Sequence, residues 1–158
     1  MRIAVDCDDA GIDLKKIVVE HLRKAGVEVE DLDLLATRKV DYPDIGFNLA
    51  QLVAAGKFDR GVLICGTGLG MAMIANKVPG VFAGVCHDVY SAERLRKSNN
   101  AQVITFGSRV VGPELAKTVL TAWLQSEFEP ERSARKVARM LELEREQAKS
   151  KTSSGEKS

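Results

Sequence analysis

The chain alternates between two hydrophobic periods. Ile3-Ala4-Val5, Gly61-Val62-Leu63-Ile64-Cys65, Val81 to Val85 and Val103 to Phe106 are short apolar runs that predict buried strands. Val27 to Leu32 alternates apolar and acidic side chains, which predicts a strand with one wet face. Between these runs the apolar positions recur at helical spacing. Leu14, Ile17, Val18, Leu22 and Ala25 predict a helix from about Gly11 to Ala25, ended by Gly26. Asp44 is placed to cap a helix to about Ala55, closed by Gly56. Further helices are expected from about Gly70 to Lys77, from Ser91 to Lys97, and from Pro113 to Leu124 with its proline in the first turn.

Five strands separated by helices predict an open parallel α/β sheet, buried on both faces. Ligand sites in such sheets lie at the carboxyl ends of strands. Cys7-Asp8-Asp9, Cys65-Gly66-Thr67, His87-Asp88 and Gly107-Ser108-Arg109 each follow an expected strand. The pattern changes after Phe128. Pro130 opens a last helix, expected over about 130–149. Ala134, Val137, Ala138 and Leu141 form its apolar stripe, and Arg132, Arg135, Lys136 and Arg139 fall on the opposite face. A solvated charged face on a docking helix is the plain reading of that basic stripe. Residues 1–149 are expected to form one domain, and the polar end, 150–158, to be a disordered tail.

Composition narrows the class. The chain has 158 residues, 45% hydrophobic and 28% charged, enough for one domain with its own core. A net charge of +1 argues against an electrostatic nucleic-acid binder. No apolar run approaches the ~18 residues of a membrane span. Met1-Arg2-Ile3-Ala4-Val5 leads directly into a strand, without the apolar segment of a signal peptide. Cys7, Cys65 and Cys86 are odd in number and lack ligand spacing. They suit a reducing cytoplasm and predict neither a disulfide framework nor a zinc site.

The strongest local signal is Cys65-Gly66-Thr67-Gly68-Leu69-Gly70, between a buried strand and a helix. Its glycines let backbone N–H groups approach a ligand, and a helix N-terminus favours an anion. The loop lacks the Lys-Ser/Thr ending of a P-loop and the glycine spacing of a dinucleotide fingerprint. The glycines alone could serve only a tight turn, and Cys65 could be core. Asp8 and Asp9 could bind hydroxyls or cap the helix that follows. Arg109 could hold an anion or pair on the surface. His87, at a strand end, is suited to a polar role, whereas His21 lies within a helix and is expected on the surface.

These segments together resemble the ribose-5-phosphate isomerase B family, which also contains galactose-6-phosphate isomerase subunits. The resemblance spans roughly Met1 to Leu143. It rests on Cys7-Asp8-Asp9-Ala10-Gly11, Asp41-Tyr42-Pro43, Ile64 to Gly70, Ala75-Asn76-Lys77-Val78-Pro79-Gly80, Ser98-Asn99-Asn100-Ala101-Gln102-Val103 and Phe106 to Gly112. It implies an aldose–ketose isomerase that uses neither metal nor cofactor. It also implies a Rossmann-like three-layer sandwich, and a homodimer or tetramer whose C-terminal helix reaches the partner and whose sites are shared.

By that resemblance Cys65 is the base that moves a proton between C1 and C2, and Thr67 assists proton movement between the oxygens. Backbone N–H groups of Gly66, Gly68 and Gly70 would face the enediolate. Asp8 and Asn99 would hold substrate hydroxyls, with Asp9, Tyr42 and His87 as further substrate contacts. Arg109, Arg132 and Lys136 match phosphate positions. The chain departs from the family pattern twice. Asp9 stands where a His is common, and Ser98 stands where the ring-opening His precedes Asn99.

Cys86 to Arg94 and Ser98 to Gln102 are similar to a subgroup that includes erythrulose-4-phosphate isomerases. A tetrose 4-phosphate has its C4 oxygen esterified and cannot close a furanose ring, so it needs no ring-opening His. Ribose 5-phosphate is the alternative substrate, with His87 as the candidate ring opener. A third reading is a non-catalytic subunit of a mixed oligomer.

Overall fold

The computed structural model describes residues 1–155. Five parallel strands form one sheet: β1 (Arg2–Cys7), β2 (Glu28–Asp31), β3 (Arg60–Cys65), β4 (Ala83–Val85) and β5 (Val103–Gly107). Their order is β2-β1-β3-β5-β4, which puts β1 and β3 at the centre of the switch in strand order. The helices are α1 (Ile12–Lys24), α2 (Leu34–Thr37), α3 (Tyr42–Ala54), α4 (Leu69–Ala75), α5 (Val89–Lys97), α6 (Pro113–Gln125) and α7 (Pro130–Gly155). A 3₁₀ turn, Asp9–Gly11, joins β1 to α1.

The sheet divides two apolar cores, which makes the three layers. On one face Val5, Ile64 and Phe106 pack with Val18, Leu22, Leu120 and Trp123 of α1 and α6. On the other Ala4, Leu63 and Val103 pack with Ile45, Leu49, Met71 and Ala75 of α3 and α4. Every residue of β3 and β5 is buried, which explains why those runs show no alternation. β2 is an edge strand, and its acidic side chains are the exposed ones.

Several expectations are corrected. The cap of α3 is Asp41, not Asp44, which lies in the first turn beside Pro43. α2 was not expected; it follows Asp33, whose φ is +44°. α5 begins at Val89 because the Asp88 carboxylate accepts the Ser91 N–H at 2.7 Å. His21 is not simply a surface residue: its Nε2 lies 2.7 Å from Thr121 Oγ1, between α1 and α6. α7 runs past Lys149 to Gly155, because extending an existing helix costs far less than starting one. The stretch from residue 150 to Gly155, expected as a disordered tail, is thus helical, and the rest of that expected tail, 156–158, lies outside the described residues.

The faces of α7 meet expectation only in part. Of the expected apolar stripe Val137 is buried and Leu141 half-buried, but Ala134 and Ala138 are exposed, and Ser133 is buried in their stead. The Glu144 carboxylate accepts the Gly80 N–H at 2.9 Å, which fastens α7 across its own subunit. The segment before α7 is held by Arg60, the first residue of β3. Its guanidinium is buried and donates to the carbonyls of Trp123 (2.9 Å) and Ser126 (3.1 Å) and to the Glu127 carboxylate (2.9 Å). Among the described residues no helix is long and apolar enough to cross a membrane.

Candidate active site

The carboxyl ends of β1, β3 and β5 lie side by side: Cys7 is in register with Ile64, and Cys65 with Gly107. The β3–α4 loop closes down on β5. Gly68 has φ +77°, and a Cβ there would lie 2.9 Å from the Phe106 carbonyl carbon. A Cβ on Gly107 would lie 2.7 Å from the Thr67 backbone. Only glycine fits either position, so both are needed for the approach of the two loops.

Within this loop Cys65 is buried, and its Sγ accepts the Gly68 N–H at 3.1 Å. That N–H therefore serves the sulfur and not a ligand directly. Thr67 is exposed and its Oγ1 accepts the Leu69 N–H at 3.3 Å. Burial pushes the Cys7 and Cys86 thiols up to about 12, which keeps them protonated near neutral pH. The ring of Tyr42 lies against Gly70, where a side chain would collide with it.

Arg109 lies over Gly66, with Nη1 3.1 Å from where a Cβ would stand. Asp8 caps the 3₁₀ turn, its carboxylate accepting the Ala10 N–H at 3.0 Å. Burial and the neighbouring Asp9 carboxylate push the Asp8 carboxyl above its usual range, and the Arg109 charge opposes them. Asp9 itself is exposed. His87 Nε2 accepts the Gly107 N–H at 2.9 Å, which places the ring proton on Nδ1. Burial holds this imidazole below its usual pKa, so it is neutral near pH 7.

Asn99, Arg132 and Lys136 are brought together elsewhere. They line a cleft of about 420 Å³ between α5 and α7, with Tyr90, Arg94, Ser98, Glu129, Ser133 and Met140. Neither Cys65 nor Thr67 lines it. The basic stripe is thus split: Arg132 and Lys136 face α5, whereas Arg139 pairs outside with Glu142 (2.6 Å) and Glu146 (3.1 Å). Arg94 and Glu129 were not singled out in the sequence. The i, i+4 spacing of Tyr90, Arg94 and Ser98 is the signal that could have found the first. Among the described residues no group of three or more His, Cys, Asp or Glu side chains could hold a metal ion.

A family model described as Ribose/Galactose Isomerase matches residues 3–140. The chain belongs to that family. It is 50% identical over 141 residues to D-erythrulose-4-phosphate isomerase of Pectobacterium atrosepticum, covering 89% of this chain and 93% of the relative. It is 45% identical over 144 residues to Ribose-5-P isomerase B of Listeria innocua, covering 91% of this chain and 97% of the other. Ribose-5-phosphate isomerase B of Clostridium thermocellum superposes with a TM-score of 0.88 at 42% identity, covering 92% of this chain and 99% of that one. This family member is a sugar-phosphate isomerase of the aldose–ketose class.

Proposed function

We propose that the enzyme interconverts D-erythrose 4-phosphate and D-erythrulose 4-phosphate through an enediolate, in sites shared between two copies of the chain. The observation that carries this reading is the cleft beside Asn99, Arg132 and Lys136, where position 98 offers a serine hydroxyl and no imidazole. Ser98 cannot shuttle the proton of ring opening near neutral pH. A tetrose 4-phosphate, already open, does not need that step. The relative from Pectobacterium, named for erythrulose 4-phosphate, is consistent with it.

In this mechanism the Cys65 thiolate takes the proton from C2 of the aldose. The electron pair forms the C1–C2 enediolate, and the thiol returns the proton to C1. Thr67 carries the hydroxyl proton from O2 to O1, so no net oxidant is needed. Backbone N–H groups of Gly66 and Gly70 stabilise the developing oxyanion, and the Gly68 N–H stabilises the sulfur. Asp8 and Asn99 hold hydroxyls, with Asp9, Tyr42 and His87 at the rim. Arg109, Arg132 and Lys136 hold the phosphate.

The separation of Cys65 from the α5–α7 cleft within one chain supports completion of each site by a second subunit. The rim around Cys65 also carries exposed apolar side chains suited to an interface: Leu69 (56%), Met73 (69%) and Val110 (56%).

The test is a panel of tetrose, pentose and hexose phosphates assayed with the purified chain alone. We expect kcat/KM for the tetrose to exceed that for ribose 5-phosphate by at least about tenfold, or ~1.4 kcal/mol. Higher activity on ribose 5-phosphate would sink the tetrose assignment. In that case loss of activity in His87→Ala would assign ring opening to the Nδ1–H of His87. No turnover on any sugar phosphate would favour a non-catalytic subunit.

A further inference from the structure

The α5 wall of the cleft presents Tyr90, Arg94 and Ser98 one turn apart on one face. The Arg94 guanidinium stands 6.0 Å from the Tyr90 ring centroid. Its Nη1 is 3.5 Å from Ser98 Oγ and 3.8 Å from the Glu129 carboxylate. Its Nε is buried without an acceptor. These contacts orient a group with five donors but satisfy few of them. Arg94, Arg132 and Lys136 converge on one cleft that holds a single carboxylate, Glu129. Among the described residues neither Arg132 nor Lys136 has an ion-pair partner within 4.0 Å. Three cations sharing a cleft with one carboxylate create a field that favours a multiply charged anion.

We infer that Arg94 is a third phosphate ligand of this cleft and, with Ser98, a determinant of substrate length. This rests on the reading of the cleft as the phosphate end of the isomerase site. The two residues act as a unit. The small side chain at 98 leaves the space into which the guanidinium leans; an imidazole there would occupy it. A tetrose phosphate offers one hydroxyl fewer than a pentose phosphate, and a third charge-assisted contact on its phosphate replaces the lost binding. Glu129 holds Arg94 in place when the cleft is empty and opposes the incoming anion.

Calorimetric titration of the full chain with inorganic phosphate tests this, alongside kcat and KM for both sugars. Arg94→Leu should weaken phosphate binding about tenfold or more, the usual loss for one charge-assisted contact. It should raise KM for the tetrose more than it changes kcat, and narrow the preference over ribose 5-phosphate. Arg94→Lys should restore part of the loss, and Glu129→Gln should tighten phosphate severalfold. Ser98→His should weaken phosphate binding in the presence of Arg94 but not in the Arg94→Leu background, since the imidazole displaces a group no longer there.

If Arg132→Ala loses phosphate affinity and Arg94→Leu does not, Arg94 only packs the cleft and the inference falls while the phosphate site stands. If neither variant alters phosphate binding or KM, while the chain still isomerises a sugar phosphate, the cleft is not the phosphate end and both readings fall.

Discussion

The strand-edge region around Cys65 and the α5–α7 cleft are built in opposite ways. The first is made largely by backbone: buried parallel strands in fixed register, with Gly68 and Gly107 allowing two loops to touch. Its cysteine is buried and its histidine is tied by a main-chain N–H. The cleft is made by side chains on two helices, and Asn99, Arg132 and Lys136 are exposed. A backbone-built region resists substitution because packing and register must change together. A side-chain-built region can change its ligand set one residue at a time. The proposed mechanism accordingly puts the reacting chemistry in the rigid region and the choice of substrate in the adjustable one.

Cys65→Ala probes that division hardest. It should lower kcat by roughly 10²–10⁴-fold, the usual range for a general base, while inorganic phosphate still binds with wild-type affinity. Turnover near wild type would remove Cys65 from the mechanism. Gly107→Ala tests whether the first region is set by backbone contact. The new Cβ would stand 2.7 Å from Thr67, so denaturant unfolding should show a loss of about 1–3 kcal/mol of stability, and kcat should fall with it. A variant of full stability and activity would show that the loop yields freely.

Arg132→Ala should raise KM about tenfold or more. Assayed at substrate well below KM, it should also complement Cys65→Ala when the two impaired proteins are mixed under conditions of subunit exchange, because heterodimers regain one intact site. Failure to complement, with heterodimers shown to form, would mean that each chain builds its site alone.

The effect expected to touch the isomerase chemistry least concerns Asp6, on β1 beneath the first region. Burial pushes its carboxyl up to about 6, against N–H bonds from Cys7 and Leu34 and the charge of Lys15. The native state thus holds a proton that the unfolded chain releases in the ordinary carboxylate range. That contribution to stability is complete below that range and is lost as pH rises through about 6. Urea titrations at several pH values should show this decline, and Asp6→Asn should flatten it. An unchanged slope would put its origin elsewhere.

The central strands were legible because β3 and β5 are buried throughout and read as unbroken apolar runs. α2 was not, because its four residues form no period and depend on the positive φ of Asp33. The loop from Cys65 to Gly70 announced itself, since its glycines answer to a local backbone requirement. Arg94 did not. Among Glu93, Arg96 and Lys97 it looks like any residue of a solvated helix face. Only the passage of α7 over α5 makes it part of a cleft. The same dependence misled part of the reading of α7, where period put Ala134 and Ala138 on the inner face with Val137, but of these three only Val137 is buried, together with Ser133.

Arg60 and Cys65 are the two ends of β3, a single six-residue strand. At about 3.3 Å per residue the strand separates them by roughly 17 Å. Arg60 fixes the point from which α7 departs, and Cys65 stands at the opposite pole. In a two-fold pair this strand would be a shared ruler, setting the base of one reaction centre and the origin of the anion-gripping arm of the other. A displacement of β3 along its axis would then be felt in both centres at once.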